Sequence, residues 1–282
     1  MGCTVHCHGK KETRTAVIKV NGIFFDRFAG STLSGWSAAS GNSAVLRSGR
    51  LETQVSATNT TDSAGSVTKS FGVSAFFPPA SITSSLGIVV GPTNANTPKF
   101  PVSSANPTWD NFLGFGLTGS DPGVDLSPTY YISEIRVDWW PTTHIQNTVT
   151  YYAPEDDPEL PAFRTINDTD FNARVAVRWT RRADIGAGIQ AYSGWFMTFF
   201  DAPALTHDGD VNKVMGLAID EDYKVFVYVG GTEVFSTTAI QTWQSTHADC
   251  PFQISQVKYL YPNYTRVYMN NVVGNNTTEL LY

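Results

Sequence analysis

Glu134, Arg136 and Asp138 stand at alternate positions in the stretch Tyr130 to Trp140. On an extended strand such residues share one face, about 7 Å from one to the next. Trp140 ends the same row and offers a ring on which a sugar can stack. Two carboxylates on one face are the equipment of a glycoside hydrolase. One serves as nucleophile and one as acid/base, at a separation of about 5 Å for a retaining mechanism. Arg136 between them works against that chemistry. Its charge lowers both carboxyl pKa values, which disfavours a general acid at neutral pH. The same arginine suits hydrogen bonding to hydroxyls, or a salt bridge. Arg174 and Arg178 give a later strand a similar polar face. Cross-strand ion pairing on a solvated sheet face is therefore the default expectation.

Other constellations are weaker. Glu155-Asp156-Asp157-Pro158-Glu159 sets carboxylates at alternate positions, but Pro158 would break an interior strand, so a solvated acidic loop is expected. Asp208, Asp210 and Asn212 have calcium-loop spacing. A full calcium site needs further oxygens and a distal Glu that the sequence lacks, so a turn with local hydrogen bonds is the default and calcium the alternative. Cys3, His6, Cys7 and His8 are ligand types for zinc, but no second pair completes four ligands at set spacing. Met1-Gly2-Cys3 is a weak acylation start, because His6 stands where Ser or Thr is needed. No phosphate loop, nucleophile elbow or zinc-protease motif occurs. Trp36, Trp139, Trp179 and Trp195 fall in strand patterns and are expected in the core. Trp109, Trp140 and Trp243 lie in or beside loops and are the candidates for exposed stacking.

These residues need strands to position them, and the sequence supplies little else. Tyr130 to Trp140 places Tyr131, Ser133, Ile135, Val137 and Trp139 on one face, and Tyr130, Ile132 and the charged residues on the other. Arg174 to Arg182 alternates again. Gly186 to Tyr192 and Ser193 to Phe200 are apolar on both faces and are expected to be central. Further strands are read at residues 14–20, 24–28, 44–47, 51–57, 66–77, 213–219, 223–229, 232–236, 252–260 and 266–273. Gly230-Gly231 is a two-residue hairpin turn. Pro78 to Asn111 is rich in Pro, Ser, Thr, Asn and Gly, and reads as a long surface excursion holding one short strand, Leu86 to Val90. Thr142 to Asn172 reads as a second long loop.

Composition bounds the class. The chain has 282 residues with 41% hydrophobic and only 16% charged residues, a bias that suits strands and turns over surface helices. A net charge of −6 disfavours binding to phosphate backbones, so no nucleic-acid partner is expected. No apolar run reaches the roughly 20 residues of a membrane-spanning helix. Residues 1–21 read as an N-terminal arm with a docking strand, and residues 22–282 as one domain. The charged first twenty residues do not read as a secretion signal, so synthesis in a cytoplasm is expected. Three cysteines without such a signal argue against a disulfide framework.

The opening Asp26-x-Phe28, Leu33-x-x-Trp36 and Gly49-x-Leu51 resembles the first strands of the concanavalin A-like lectin/glucanase superfamily. The segment Val225 to Val234, with Gly230-Gly231 at its turn, is similar to that superfamily's late hairpin. The resemblance implies an all-β fold, a two-sheet antiparallel jelly-roll sandwich with long loops. Domains with this opening are frequent in bacteriophage minor tail and fibre proteins and in secreted enzymes. The implied function is a non-enzymatic virion structural or adhesion protein. It would bind host-surface polysaccharide, or dock on neighbouring virion proteins or on copies of itself. Glu134, Arg136, Asp138, Trp140, Trp109 and Trp243 are its candidate glycan contacts, with no cofactor beyond possible calcium. A glycoside hydrolase and a capsid or tail cement protein without glycan affinity are the alternatives.

Overall fold

Period-two alternation becomes two antiparallel sheets. The computed structural model describes residues 3–4, 15–16, 24–28, 35–38, 44–47, 49–53, 64–88, 113–122, 130–139, 148–150, 165–167, 173–184, 189–203, 212–247, 250–262 and 267–280. Two short ladders stand apart, β1 (Cys3–Thr4) with β2 (Thr15–Ala16), and β11 (Thr148–Thr150) with β12 (Thr165–Asn167).

The seven-stranded sheet runs β14 (Ile189–Phe200), β13 (Ala173–Asp184), β10 (Tyr130–Trp139), β9 (Leu113–Gly119), β18 (Ile254–Pro262), β7 (Ala64–Ser70) and β4 (Trp36–Ala38). The eight-stranded sheet runs β17 (Thr232–Thr237), β16 (Val225–Val229), β15 (Asn212–Ile219), β8 (Ala80–Ile88), β19 (Val267–Asn275), β6 (Arg50–Thr53) and β5 (Ala44–Arg47), with β3 (Phe24–Asp26) also on β19. One short helix, α1 (Ala239–Thr246), is present among the described residues. It is far too short to cross a membrane.

The inner faces of both sheets meet in one core. Ile135, Val137 and Trp139 of β10 and Phe115 of β9 enter it from one side, Met215, Leu217 and Ile219 of β15 from the other. Phe115 packs edge-on to Trp139 and stacks on Tyr259. The architecture is an all-β, two-sheet antiparallel sandwich, as expected from the sequence.

The opening motif has a clear physical basis. Asp26 accepts a hydrogen bond from the Trp36 indole at 2.8 Å, from the Phe28 amide at 2.7 Å and from the Lys69 ammonium at 2.6 Å. Phe28 adopts a left-handed φ of 52°, a conformation uncommon for its type, and the Asp26 bond to its amide braces it. Phe28, Trp36 and Leu51 are all in the core. At the other motif, Val229 pairs with Thr232, so Gly230-Gly231 is the two-residue turn, with φ of 58° and 83°.

Four expectations are corrected. Pro78 to Asn111 is not all surface excursion: β8 occupies its first part as an interior strand between β15 and β19. Ser81, Thr83, Ser84 and Ser85 are buried in it, so small hydroxyl residues, the composition of a loop, serve here in a packed sheet. A bulge between Ile132 and Glu134 resets the alternation of β10. Tyr130 and Ile132 therefore join the core face instead of the charged one. The two segments expected at 186–200 form one strand, β14, and it ends its sheet instead of being central. Its aromatic residues pack on both faces without a second neighbouring strand among the described residues. The strand β9 and the helix α1 have no counterpart in the sequence reading; β9 escapes it because Leu-Gly-Phe-Gly-Leu carries too much glycine to read as a strand.

Candidate functional site

The outer face of the seven-stranded sheet collects the polar chemistry. Because side chains alternate, every residue registered opposite Glu134, Arg136 or Asp138 points to the same side. One transverse row is Ser70, Gln256, Thr118, Glu134, Arg178 and Trp195. The next is Ser37, Thr68, Lys258, Gly116, Arg136, Ala176 and Met197. Asp138 lies in the third row, between Gly114 and Arg174.

An alternating chain of charges crosses this face. The Lys258 ammonium donates to Glu134 Oε2 at 2.9 Å, and Arg136 Nη1 donates to Glu134 Oε1 at 2.8 Å. Arg136 Nε donates to Asp138 Oδ1 at 2.7 Å, and Arg174 Nε to Asp138 Oδ2 at 2.8 Å. Each carboxylate oxygen therefore has a cationic donor. The chain is not the solvated array expected from the sequence: relative exposures are 3% for Glu134, 7% for Arg136, 0% for Asp138 and 1% for Arg174. Charges survive such burial only when paired, and the fork of Arg136 pairs two carboxylates at once.

Two features make room for the chain. At Gly116 a Cβ would stand 2.2 Å from the Ile135 carbonyl oxygen and 2.5 Å from Arg136 Cβ, so only glycine lets β9 lie this close to β10. The Trp195 ring covers Arg136, with the guanidinium carbon 4.2 Å from its centroid. Such a stack favours the charged arginine.

The electrostatics follow from these contacts. Burial pushes the Glu134 carboxyl up, but the charges of Arg136 and Lys258 outweigh it and hold the group below the usual glutamate range. Burial pulls the Arg136 guanidinium down, and Asp138 with Glu134 more than offset this and raise it. Glu134 is thus a firmly ionised hydrogen-bond acceptor, not a proton donor at neutral pH.

The sequence candidates separate. Glu134, Arg136 and Asp138 are brought together. Trp109, Trp140, Asp208, Asp210 and the acidic run 155–159 lie outside the described residues, as do His6, Cys7 and His8 of the N-terminal cluster. Asn212 opens β15, its backbone registered with Gly87. Trp243 is carried by α1 and is packed rather than held out. Its ring stacks on His247 at 3.8 Å, on Phe196 at 5.3 Å and on Trp179 at 5.7 Å. Trp195 shows the reverse: expected in the core, it faces the polar side, because it registers with Arg178. Lys258 and Gly116 were missed. The alternation of Gln256, Lys258 and Leu260 with core Val257 and Tyr259 is the signal that marks the lysine.

The sequence matches no protein-family model and no curated protein. Among solved structures, β-agarase A from Zobellia galactanivorans is similar at 11% identity over 90% of this chain and 93% of that chain, with a TM-score of 0.48. A structure of an endo-acting O-glycanase of the human gut microbiota is similar at 12% identity over 90% of this chain and 98% of that chain, with a TM-score of 0.47. The potassium-bound carbohydrate recognition domain of Emp46p is similar at 11% identity over 90% and 96% of the two chains, with a TM-score of 0.44.

Proposed function

We propose that this chain is a non-catalytic carbohydrate-binding β-sandwich that works as an adhesion or docking module of a virion tail or fibre. The observation that carries the reading is the locked charge chain on the outer sheet face. Glu134 and Asp138 are the carboxylate pair a hydrolase would use as nucleophile and acid, yet Arg136 lies between them and engages an oxygen of each. A carboxylate held this way orients its neighbours without giving up a proton. Around it, the half-buried or exposed side chains of Ser37, Thr68, Thr118, Arg178, Lys258 and Gln256 hold hydrogen-bonding groups in fixed rows. The row from Ser70 to Trp195 crosses six strands, about 24 Å, long enough for an oligosaccharide to lie across it. Trp195 is half-buried at one end and supplies an aromatic surface. The virion setting rests on the resemblance of the Asp26 to Leu51 and Val225 to Val234 segments, and in that setting the chain acts in several copies beside other virion proteins.

The test is affinity electrophoresis of the full chain against a panel of soluble polysaccharides, with reducing-sugar release measured on the same substrates. Retarded migration is expected on at least one polysaccharide, several-fold weaker for Trp195→Ala because a ring stack is lost. No sugar release is expected. Release that disappears in Glu134→Gln would identify a hydrolase and overturn the reading, as would migration unaffected by every polysaccharide.

A further inference from the structure

We infer that the glycan held by this face is acidic, and that Arg178 binds its carboxylate or sulfate group. This rests on the carbohydrate-binding reading above. The described side chains of the face include two anions, Glu134 and Asp138, and four cations, Arg136, Arg174, Arg178 and Lys258. The four carboxylate oxygens are taken by Lys258, Arg136 and Arg174. Arg178 is left over. It registers directly opposite Glu134, yet forms no ion pair among the described residues. Its Nη2 donates to the Ser193 hydroxyl at 2.9 Å, and its guanidinium carbon lies 5.8 Å from the centre of the Trp195 ring. Its Nε is buried without a hydrogen-bond partner.

A half-buried cation with no ion pair is costly unless an anion meets the open part of its guanidinium. The chain as a whole carries −6, so a cationic excess at this spot runs against the protein's overall charge. Ser193 and the Trp195 ring hold the guanidinium in place, and a held guanidinium pairs with the planar oxygens of a carboxylate or with a sulfate through paired N–H groups. Trp195 lies beside it for the sugar ring that bears the acid. A neutral glycan fills the hydroxyl-binding rows and leaves Arg178 uncompensated.

Affinity electrophoresis of the full chain on polygalacturonate, dextran sulfate, neutral dextran and amylopectin tests this. Preference for a charged polymer is expected, fading as sodium chloride is raised. The two charged polymers distinguish carboxylate from sulfate. Arg178→Gln is expected to lose about tenfold in affinity for the charged polymer, the size of a charge-assisted hydrogen bond. Arg178→Lys, which keeps the charge but not the fork, should retain part of the preference. Lys224→Gln, a charge change in the connection before β16 of the other sheet, should retain all of it. Equal binding of neutral and charged polymers, or a preference that survives Arg178→Gln, overturns this inference and leaves the carbohydrate reading standing. Failure of all four polymers to retard the protein overturns both.

Discussion

Replacing Arg136 with Met tests whether the charge chain holds the sheet as described. Methionine keeps most of the side-chain length and can still contact Trp195. It removes one of the two cationic donors on Glu134 and one of the two on Asp138. The trio Glu134, Arg136 and Asp138 carries −1 in the native protein and −2 in the variant. Arg174 is buried and remains close to Asp138, whereas the Lys258 side chain is 22% exposed and partly screened. Removing one partner from a buried ion pair costs about 3–5 kcal/mol, and that is the expected loss near neutral pH. The loss depends on pH. In the native protein the folded pKa of Glu134 lies below its ordinary 4.5, so its contribution is present above that value and is lost as pH falls through the folded pKa. In the variant, burial still pushes the carboxyl up and one opposing charge is gone, so Glu134 takes its proton at higher pH. The stability gap between the two proteins should therefore narrow on acidification from about pH 7 to about pH 4. Urea denaturation midpoints at both pH values measure it. A loss under about 1 kcal/mol at neutral pH, the scale of a surface pair, or a gap that stays constant on acidification, would refute the buried-chain argument.

Three further outcomes are expected. Asp26→Ala leaves the Trp36 indole, the Phe28 amide and Lys69 without their shared acceptor, and should cost about 2–3 kcal/mol in chemical denaturation; an unchanged midpoint would separate the opening motif from stability. Gly116→Ala should lower the melting temperature more than Gly87→Ala. The first Cβ meets the backbone of β10, while the second meets the Tyr268 ring, a side chain that can turn aside; the reverse order would contradict the packing of β9. Burial pushes the Cys250 thiol up to about 12. Alkylation of the folded protein at mildly alkaline pH should leave the Cys250 peptide unmodified, and unfolding should expose it, as peptide mass spectrometry can read.

Strands written in clear alternation were legible from residue types alone. The stretch from Glu134 to Trp139, the pair at 213–219 and 223–229, and the Gly230-Gly231 hairpin needed only the two-residue period and the left-handed freedom of glycine, whereas the bulge before Glu134 hid the true faces of Tyr130 and Ile132. Where composition and burial part company, local reading failed. Ser and Thr in β8 look like loop residues, but neighbours on both sides satisfy their backbone and bury their hydroxyls. The alternating glycines of β9 look like a flexible segment, but Gly116 lets Arg136 of β10 pass at short range.

The sequence by itself determined that Glu134, Arg136 and Asp138 share a strand face, that Arg136 lowers the acidity range of Glu134, and that the fold is all-β. Those conclusions need only side-chain direction and the sign of a neighbouring charge. Tertiary structure alone decided that this charge trio is buried, that Lys258 and Arg174 complete it, and that Arg178 is passed over. It also decided that Trp195 covers the arginine while Trp243 is packed away. Burial and pairing depend on which strands become neighbours: β13 pairs with β10, β14 lies beyond β13 and β18 beyond β9, an order set by long-range pairing that no local pattern records.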